Sequence, residues 1–325
     1  MGKGKPKQPE PVRTLSPEQI DQLRAQQASN TPPGYVVLNE NFPPMPAGVV
    51  EFRLPSNGIP YKNNSIPGGL VYIRPFTGRE EMIVNSATIN ETAKIQRIVA
   101  ACTYFPRGAN AGMLLSTDRM MLLYGLRQLS FGTQYKMPVT CPNCDTGFSA
   151  QLDFSKLHIE EMPRKKFDPV TGLQDGTYDY NPDEGIPVTL SNKMELRLRL
   201  LDCADQDFIV SEVRKGTASK VIPPFIFHDQ LDPVQFLQNI LCIYKFNRSE
   251  GGELETLNRN DPMQLSQLGS VYLGLHAKDT IKIDREYAKY DVEIGSQLPA
   301  VCPACQTEVK VGVYMTPEFF RPTDD

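Results

Sequence analysis

The sequence predicts an α+β protein of mixed helices and short antiparallel strands, and three observations point there. Alternating apolar runs such as Val49-Val50-Glu51-Phe52-Arg53-Leu54 stand beside turn signals. Helix-period segments lie between such runs. Two Cys-Pro-x-Cys turns, far apart in the chain, are each flanked by strand-like sequence. At 325 residues the chain suffices for one large domain or two modest ones, and it can bury a core without disulfides.

Residues 1–48 read as an extended N-terminal arm. It begins basic and Pro-rich, with Lys3, Lys5, Lys7 and Arg13. A short helix is expected over residues 16–27, with Ser16 as N-cap and Pro17 at the first helical position. Its apolar face is thin (Ile20, Leu23, Ala25), so the arm is expected to order against a neighbour, a disordered tail being the competing reading.

Residues 49–157 read as a first α+β half. It holds the strand at 49–54, a turn at Pro55-Ser56-Asn57-Gly58, a strand at 71–74 and helices over 77–87 and 91–102. The clearest helix spans 117–130. Ser116 or Thr117 is its expected cap, Asp118 suits its positive end and Gly132 stops it. The first Cys hairpin follows, Met137 to Leu152 around Cys141-Pro142-Asn143-Cys144. Residues 158–186 read as a loop-rich insert. Residues 187–325 read as a second α+β half, ending in the second hairpin around Cys302-Pro303-Ala304-Cys305. A weak echo links the halves: Val71 to Phe76 followed by Glu80 and Glu81, and Leu196 to Leu201 followed by Asp205 and Asp207.

Composition narrows the function. A net charge of −4 argues against a general nucleic-acid binder. No apolar run is long enough to span a bilayer, and the first residues do not read as a secretory signal. Seven cysteines are an odd number, and four of them form two close pairs, which suits a reducing compartment and metal binding better than a disulfide framework.

The paired cysteines carry the strongest chemistry. Zinc takes four tetrahedral ligands and favours thiolates, and a two-residue spacing lets one tight turn aim both sulfurs at the ion. Cys141, Cys144, Cys302 and Cys305 are therefore expected to hold one structural Zn2+ in a zinc-ribbon-like element. Independent redox or buried Cys pairs are the competing reading. Asp145 and Gln306 stand where many zinc knuckles carry Gly, so the Gln306 turn is expected to be less ideal or to take another geometry. Cys102, Cys203 and Cys242 read as core. His158, His228 and His276 are scattered and read as structural, and the acidic pairs Glu80-Glu81 and Glu160-Glu161 read as solvated. No catalytic constellation stands out.

A longer series carries a resemblance. Leu54-Pro55-Ser56-Asn57-Gly58 with Tyr61, Ile73-Arg74-Pro75, Asp118, Leu126-Arg127 with Ser130 and Gly132, Tyr135, Val139 and Cys141-Pro142-Asn143-Cys144 follow one another in order. The series resembles the baseplate proteins of T-even-type contractile-tailed bacteriophages, more narrowly the baseplate hub subunit or hub assembly chaperone family. It covers about residues 50–160 and, more loosely, the second half. Each motif is common; the order and spacing carry the specificity. The resemblance implies a non-enzymatic part in building the tail baseplate, with other phage baseplate or tail proteins as partners, in the virion or in the host cytoplasm during assembly. Arg74 and Arg127 are then candidate partner-binding residues, a buried structural ion pair being the alternative for each. Two further readings stand beside this one. A nucleic-acid-binding zinc-ribbon protein would use Lys136, Lys156, Arg164, Lys165 and Lys166, and a hydrolase or thiol oxidoreductase would use the paired cysteines.

Overall fold

The structure is a computed structural model that describes residues 34–167, 174–215, 232–247, 252–292, 294–295, 297–313 and 317–320. The helix expected over residues 16–27 lies outside the described residues, as does His228. The chain divides into two compact units, Met1–Gly48 and Val49–Asp325. In the first, β1 (Tyr35–Val36) pairs antiparallel with β2 (Met45–Pro46).

The second unit is α+β, with every named strand pairing antiparallel. β3 (Val50–Arg53), β4 (Leu70–Ile73) and β5 (Thr103–Tyr104) form one sheet. Helices α1 (Gly78–Asn85) and α2 (Glu91–Cys102) connect β4 to β5, and α3 (Ser116–Phe131) follows. Then comes the hairpin of β6 (Gln134–Thr140) and β7 (Gly147–Asp153). The segment read as a loop-rich insert carries a hairpin of its own, β8 (Arg164–Phe167) with β9 (Gln174–Tyr178). Its flanks are tied down: Met162 N–H donates to Pro55 O, and Leu200 N–H donates to the buried Tyr180 hydroxyl. These ties are long-range, so its turn-rich composition conceals them.

The second sheet orders β10 (Ile186–Thr189), β11 (Glu195–Leu198), β12 (Ile243–Phe246) and β13 (Glu255–Thr256). Helices α4 (Cys203–Arg214) and α5 (Pro233–Leu241) connect β11 to β12. Helices α6 (Pro262–Leu273) and α7 (Ala277–Ala288) follow, then the hairpin of β14 (Gln297–Val301) and β15 (Glu308–Gly312).

Two hydrophobic cores result. One collects Leu196, Leu198, Ile209, Phe236, Ile240 and Ile283 of the second half. The other collects Ile73, Val99, Leu122, Tyr124, Leu152 and Phe154 of the first half, and it also takes in Leu298, Ala300, Val311, Phe319 and Phe320 from the end of the chain. The alternation of Leu298 and Ala300 on β14 with Val309 and Val311 on β15 aims one face of the last hairpin at that core. Phe319 is fully buried among the rings of Tyr124, Tyr135 and Phe154, at centroid distances of 5.8, 5.6 and 5.4 Å. The second Cys hairpin therefore completes the core of the first half.

Helix starts carry the buried charge. Thr77 caps α1 and forms a capping box with Glu80, which is fully buried rather than solvated. Arg74 explains the difference, because its guanidinium meets the Glu80 carboxylate at 3.0 and 2.8 Å. Burial alone would raise Glu80; Arg74 and the Thr77 hydroxyl and N–H outweigh it and bring the carboxyl down to about 2. Helix α3 starts otherwise than expected. Its N-cap is Leu115, without a side-chain cap. The Leu115 N–H donates to the Tyr61 hydroxyl, and Ser116 Oγ accepts from Gln206 Nε2. Asp118 is buried, accepts from Ser56 N–H at 3.1 Å and from the Tyr61 hydroxyl, and is raised by burial. Ser116 and Asp118 are thus spent on tertiary bonds.

Two glycines are required by close approach. Gly58 has φ +78°, and a Cβ there would lie 2.1 Å from Ile66 O. Gly125 lets α3 settle on β3, since a Cβ there would lie 2.4 Å from the Phe52 ring. Gly125→Ala should destabilise the protein by roughly 1–3 kcal/mol in urea unfolding, overpacking outweighing the helix-propensity gain of about 1 kcal/mol. Arg74→Met should cost about 3 kcal/mol at pH 7, because it leaves Glu80 buried without its cation. The pH profile has a fixed sign. Glu80 is depressed from 4.5 to about 2 in the folded chain, so its contribution is present above 4.5 and is lost as pH falls toward 2. Urea midpoints of the wild type and Arg74→Met should therefore converge as the pH is lowered through 4.5.

Candidate metal centre

The two Cys turns have the same backbone. Cys141 N–H donates to Thr146 O and Asp145 N–H to Cys141 O, at 3.0 and 2.9 Å. Cys302 N–H donates to Thr307 O and Gln306 N–H to Cys302 O, also at 3.0 and 2.9 Å. Asp145 has φ 54° and Gln306 φ 59°, so Gln306 takes the left-handed conformation as Asp145 does, and the second turn is not distorted. Gln306 Nε2 also donates to Pro303 O at 3.2 Å.

These turns bring four sulfurs to one point. The Sγ atoms of Cys141, Cys144, Cys302 and Cys305 all lie within 4.8 Å of one another. Cys141 is 3.7 Å from Cys305, and Cys144 is 3.7 Å from Cys302. A tetrahedral ion with metal–sulfur bonds of about 2.3 Å needs sulfur–sulfur edges of about 3.8 Å. A disulfide needs about 2.05 Å. The cluster thus fits a metal ion, and the cysteines are free thiols. Cys141 and Cys302 are buried, while Cys144 and Cys305 are partly exposed.

The surroundings act in opposite directions on Cys305 and Cys141. Thr307, through its hydroxyl and N–H, and the Asn143 amide bring the Cys305 thiol down to about 5. At Cys141 the Asn143 N–H lowers the pKa, but burial and the neighbouring thiols outweigh it and push the group up to about 11. This is the pattern of crowded sulfurs in which one ionises first and opposes the next. Sequence reasoning overlooks the threonines. Their signal is the fuller motif Cys-Pro-x-Cys-x-Thr, which both turns share.

The remaining candidates are held elsewhere. Arg74 is committed to Glu80. Arg127 is buried; it donates to Gly132 O and Gln134 O, both at 3.3 Å, and lies over the rings of Phe131 and Tyr135. Cys102, Cys203 and Cys242 are core residues whose thiols burial pushes up to about 12. His276 precedes α7 and makes no side-chain cap. A cavity of about 340 Å³ is lined by Ser116, Gln206, Asn239, Cys242, Asp284 and Tyr287, and there the Cys242 thiol donates to Asn239 O at 3.1 Å. No described helix is long and apolar enough to cross a membrane.

Comparison with known proteins gives one result. The family model described as T4 bacteriophage base plate protein matches residues 58–321, which includes both Cys turns. No curated protein and no solved structure matches the chain. With most of its length matched, the chain belongs to the T4 bacteriophage base plate protein family.

Proposed function

We propose that this protein is a structural or assembly component of the contractile-tail baseplate, a hub subunit or the chaperone that builds the hub. In this reading one structural Zn2+, held by Cys141, Cys144, Cys302 and Cys305, staples the two halves, and the N-terminal arm binds neighbouring tail proteins. The site of action is the virion tail baseplate, or the host cytoplasm during assembly. The carrying observation is the convergence of four sulfurs from two turns whose nearest cysteines are 158 residues apart. Closing such a loop costs roughly 5 kcal/mol on a chain-entropy scale. Structural zinc supplies about 10–16 kcal/mol in small peptides. Four thiolate ligands leave the ion no open position, which favours a scaffold over a catalyst.

Reduced, metal-free protein should take up one Zn2+ per chain and stay colourless. Replacing Cys141 or Cys302 by Ser should weaken the uptake at least 100-fold. Because β14 and β15 pack into the core of the first half, chelation should raise hydrogen exchange in α3 and β7 while β11 and α5 stay protected. Uniform loss of protection would refute the staple. Mass spectrometry of purified particles beside assembly intermediates should find the chain in at least one of them, bound to other tail proteins. A chain that stays alone with every co-expressed baseplate component contradicts the assembly reading.

A further inference from the structure

The two halves match in more than outline. In the first half Arg74 leaves β4, its N–H bonds Cys102 O at 3.0 Å, Thr77 caps the next helix and Glu80 receives the guanidinium. In the second half Arg199 leaves β11, its N–H bonds Cys242 O at 2.7 Å, Asp202 caps the next helix and Asp205 receives the guanidinium. The spacing from Arg to cap to acid is the same in both, and both caps are reciprocal capping boxes. In each half the cysteine whose carbonyl accepts that N–H stands at the end of a helix that feeds directly into the next strand of the sheet.

The match continues to the Cys turns. After β3, Ser56 N–H donates at 3.1 Å to Asp118, the third residue of α3. After β10, Ser191 N–H donates at 2.9 Å to Asp279, the third residue of α7. From these aspartates to the end of the hairpins the two stretches run without a gap. Asp118, Pro138, Cys141, Pro142, Cys144 and Thr146 recur at one constant offset as Asp279, Pro299, Cys302, Pro303, Cys305 and Thr307. The strand registers agree: Met137 pairs with Ala150 as Leu298 pairs with Val311, and Pro138 with Ser149 as Pro299 with Lys310. At the centre the first Cys of each turn lies 3.7 Å from the second Cys of the other, which is the relation a local two-fold produces. Helix α6 and strand β13 are additions of the second half.

We propose that residues 50–151 and 186–312 are two copies of one folding module, and that the Cys-hairpin face of each is a docking surface whose partner is another copy of the same module. In this chain covalent fusion satisfies both faces at once. The four-thiolate centre is then the joint of an internal pseudo-dimer, to which each module gives one Cys pair. The metal part of this statement rests on the zinc reading above; the duplication does not.

One contact breaks the symmetry and supplies the test. Asn143 Nδ2 donates to Thr307 Oγ1 across the joint at 3.2 Å. Its counterpart Ala304 cannot donate to Thr146, although both positions are exposed. In the full chain, Asn143→Ala should speed zinc release to a chelator roughly five-fold, about the worth of one hydrogen bond. The double variant Asn143→Ala/Ala304→Asn should restore the wild-type rate, since a two-fold brings the new amide to Thr146. A double variant as fast as Asn143→Ala overturns the proposal. The same variants are compared in urea unfolding of reduced, zinc-free protein, so a chain that takes up no zinc sinks the zinc reading while the rescue still decides the duplication. If Asn143→Ala changes neither readout, a replacement decides: residues 136–151 are installed in place of 297–312, a segment of equal length. A folded chain with the wild-type zinc content supports the duplication, and a chain that loses both overturns it.

Discussion

Four sulfurs from two turns, with 158 residues between the nearest cysteines, sit within 4.8 Å of one another, and the placement of the last strands depends on holding them there. Sulfurs at 3.7 Å are too far apart to bond covalently and too close to ionise together without a cation. β14 and β15 also lie against the first half through their apolar face. Leu298, Ala300, Val309 and Val311 then fill a core that the first half leaves open. Phe319 and Phe320 continue the same packing beyond the hairpin. The stability of one end of the chain is therefore tied to the geometry of a site built partly from the other.

Away from the sulfurs, buried acids at helix starts fix the elements in place. Glu80, Asp118, Asp205 and Asp279 are all buried, and each lies in the first turn of its helix. A carboxylate there meets unpaired N–H groups and the positive end of the helix dipole, which offsets part of its desolvation. Two of the four gain an arginine as well, and Asp205 gains a second in Arg259 at 2.7 Å. The two paired acids are costly to break, because removing an arginine leaves a buried carboxylate without its cation.

Legibility in the sequence followed the range of the interactions. The helix over 91–102 and both Cys hairpins were readable because their signals are local: caps, alternation and turn residues. The cap of α3 was not, because Ser116 and Asp118 spend their oxygens on Gln206, Ser56 and Tyr61, residues distant in the chain. Glu80 reads as a solvated acid until Arg74 is seen beside it. Gln306 reads as a poor left-handed residue, yet the bonds that close its turn are the same as those at Asp145. For the candidate site, the spacing of the cysteine pairs already suggested that they meet, and the fold brings the four sulfurs within 4.8 Å of one another. The echo between the halves was faint because the matched residues are few and widely spaced in the chain.

A shared joint also explains why the halves diverged as they did. Positions that face the joint answer to a partner that is itself a copy, so a change in one module must suit the other. The Cys and Thr of both turns are therefore kept. Away from the joint no such constraint acts, and there the second half has added β13 and α6, the latter packing Leu265, Leu268 and Tyr272 into its own core. A metal suits this joint better than a disulfide would. One disulfide links two sulfurs at a fixed short distance, whereas an ion accepts one pair from each turn and keeps the turns equivalent. In a compartment that keeps thiols reduced, it is also the cross-link that persists.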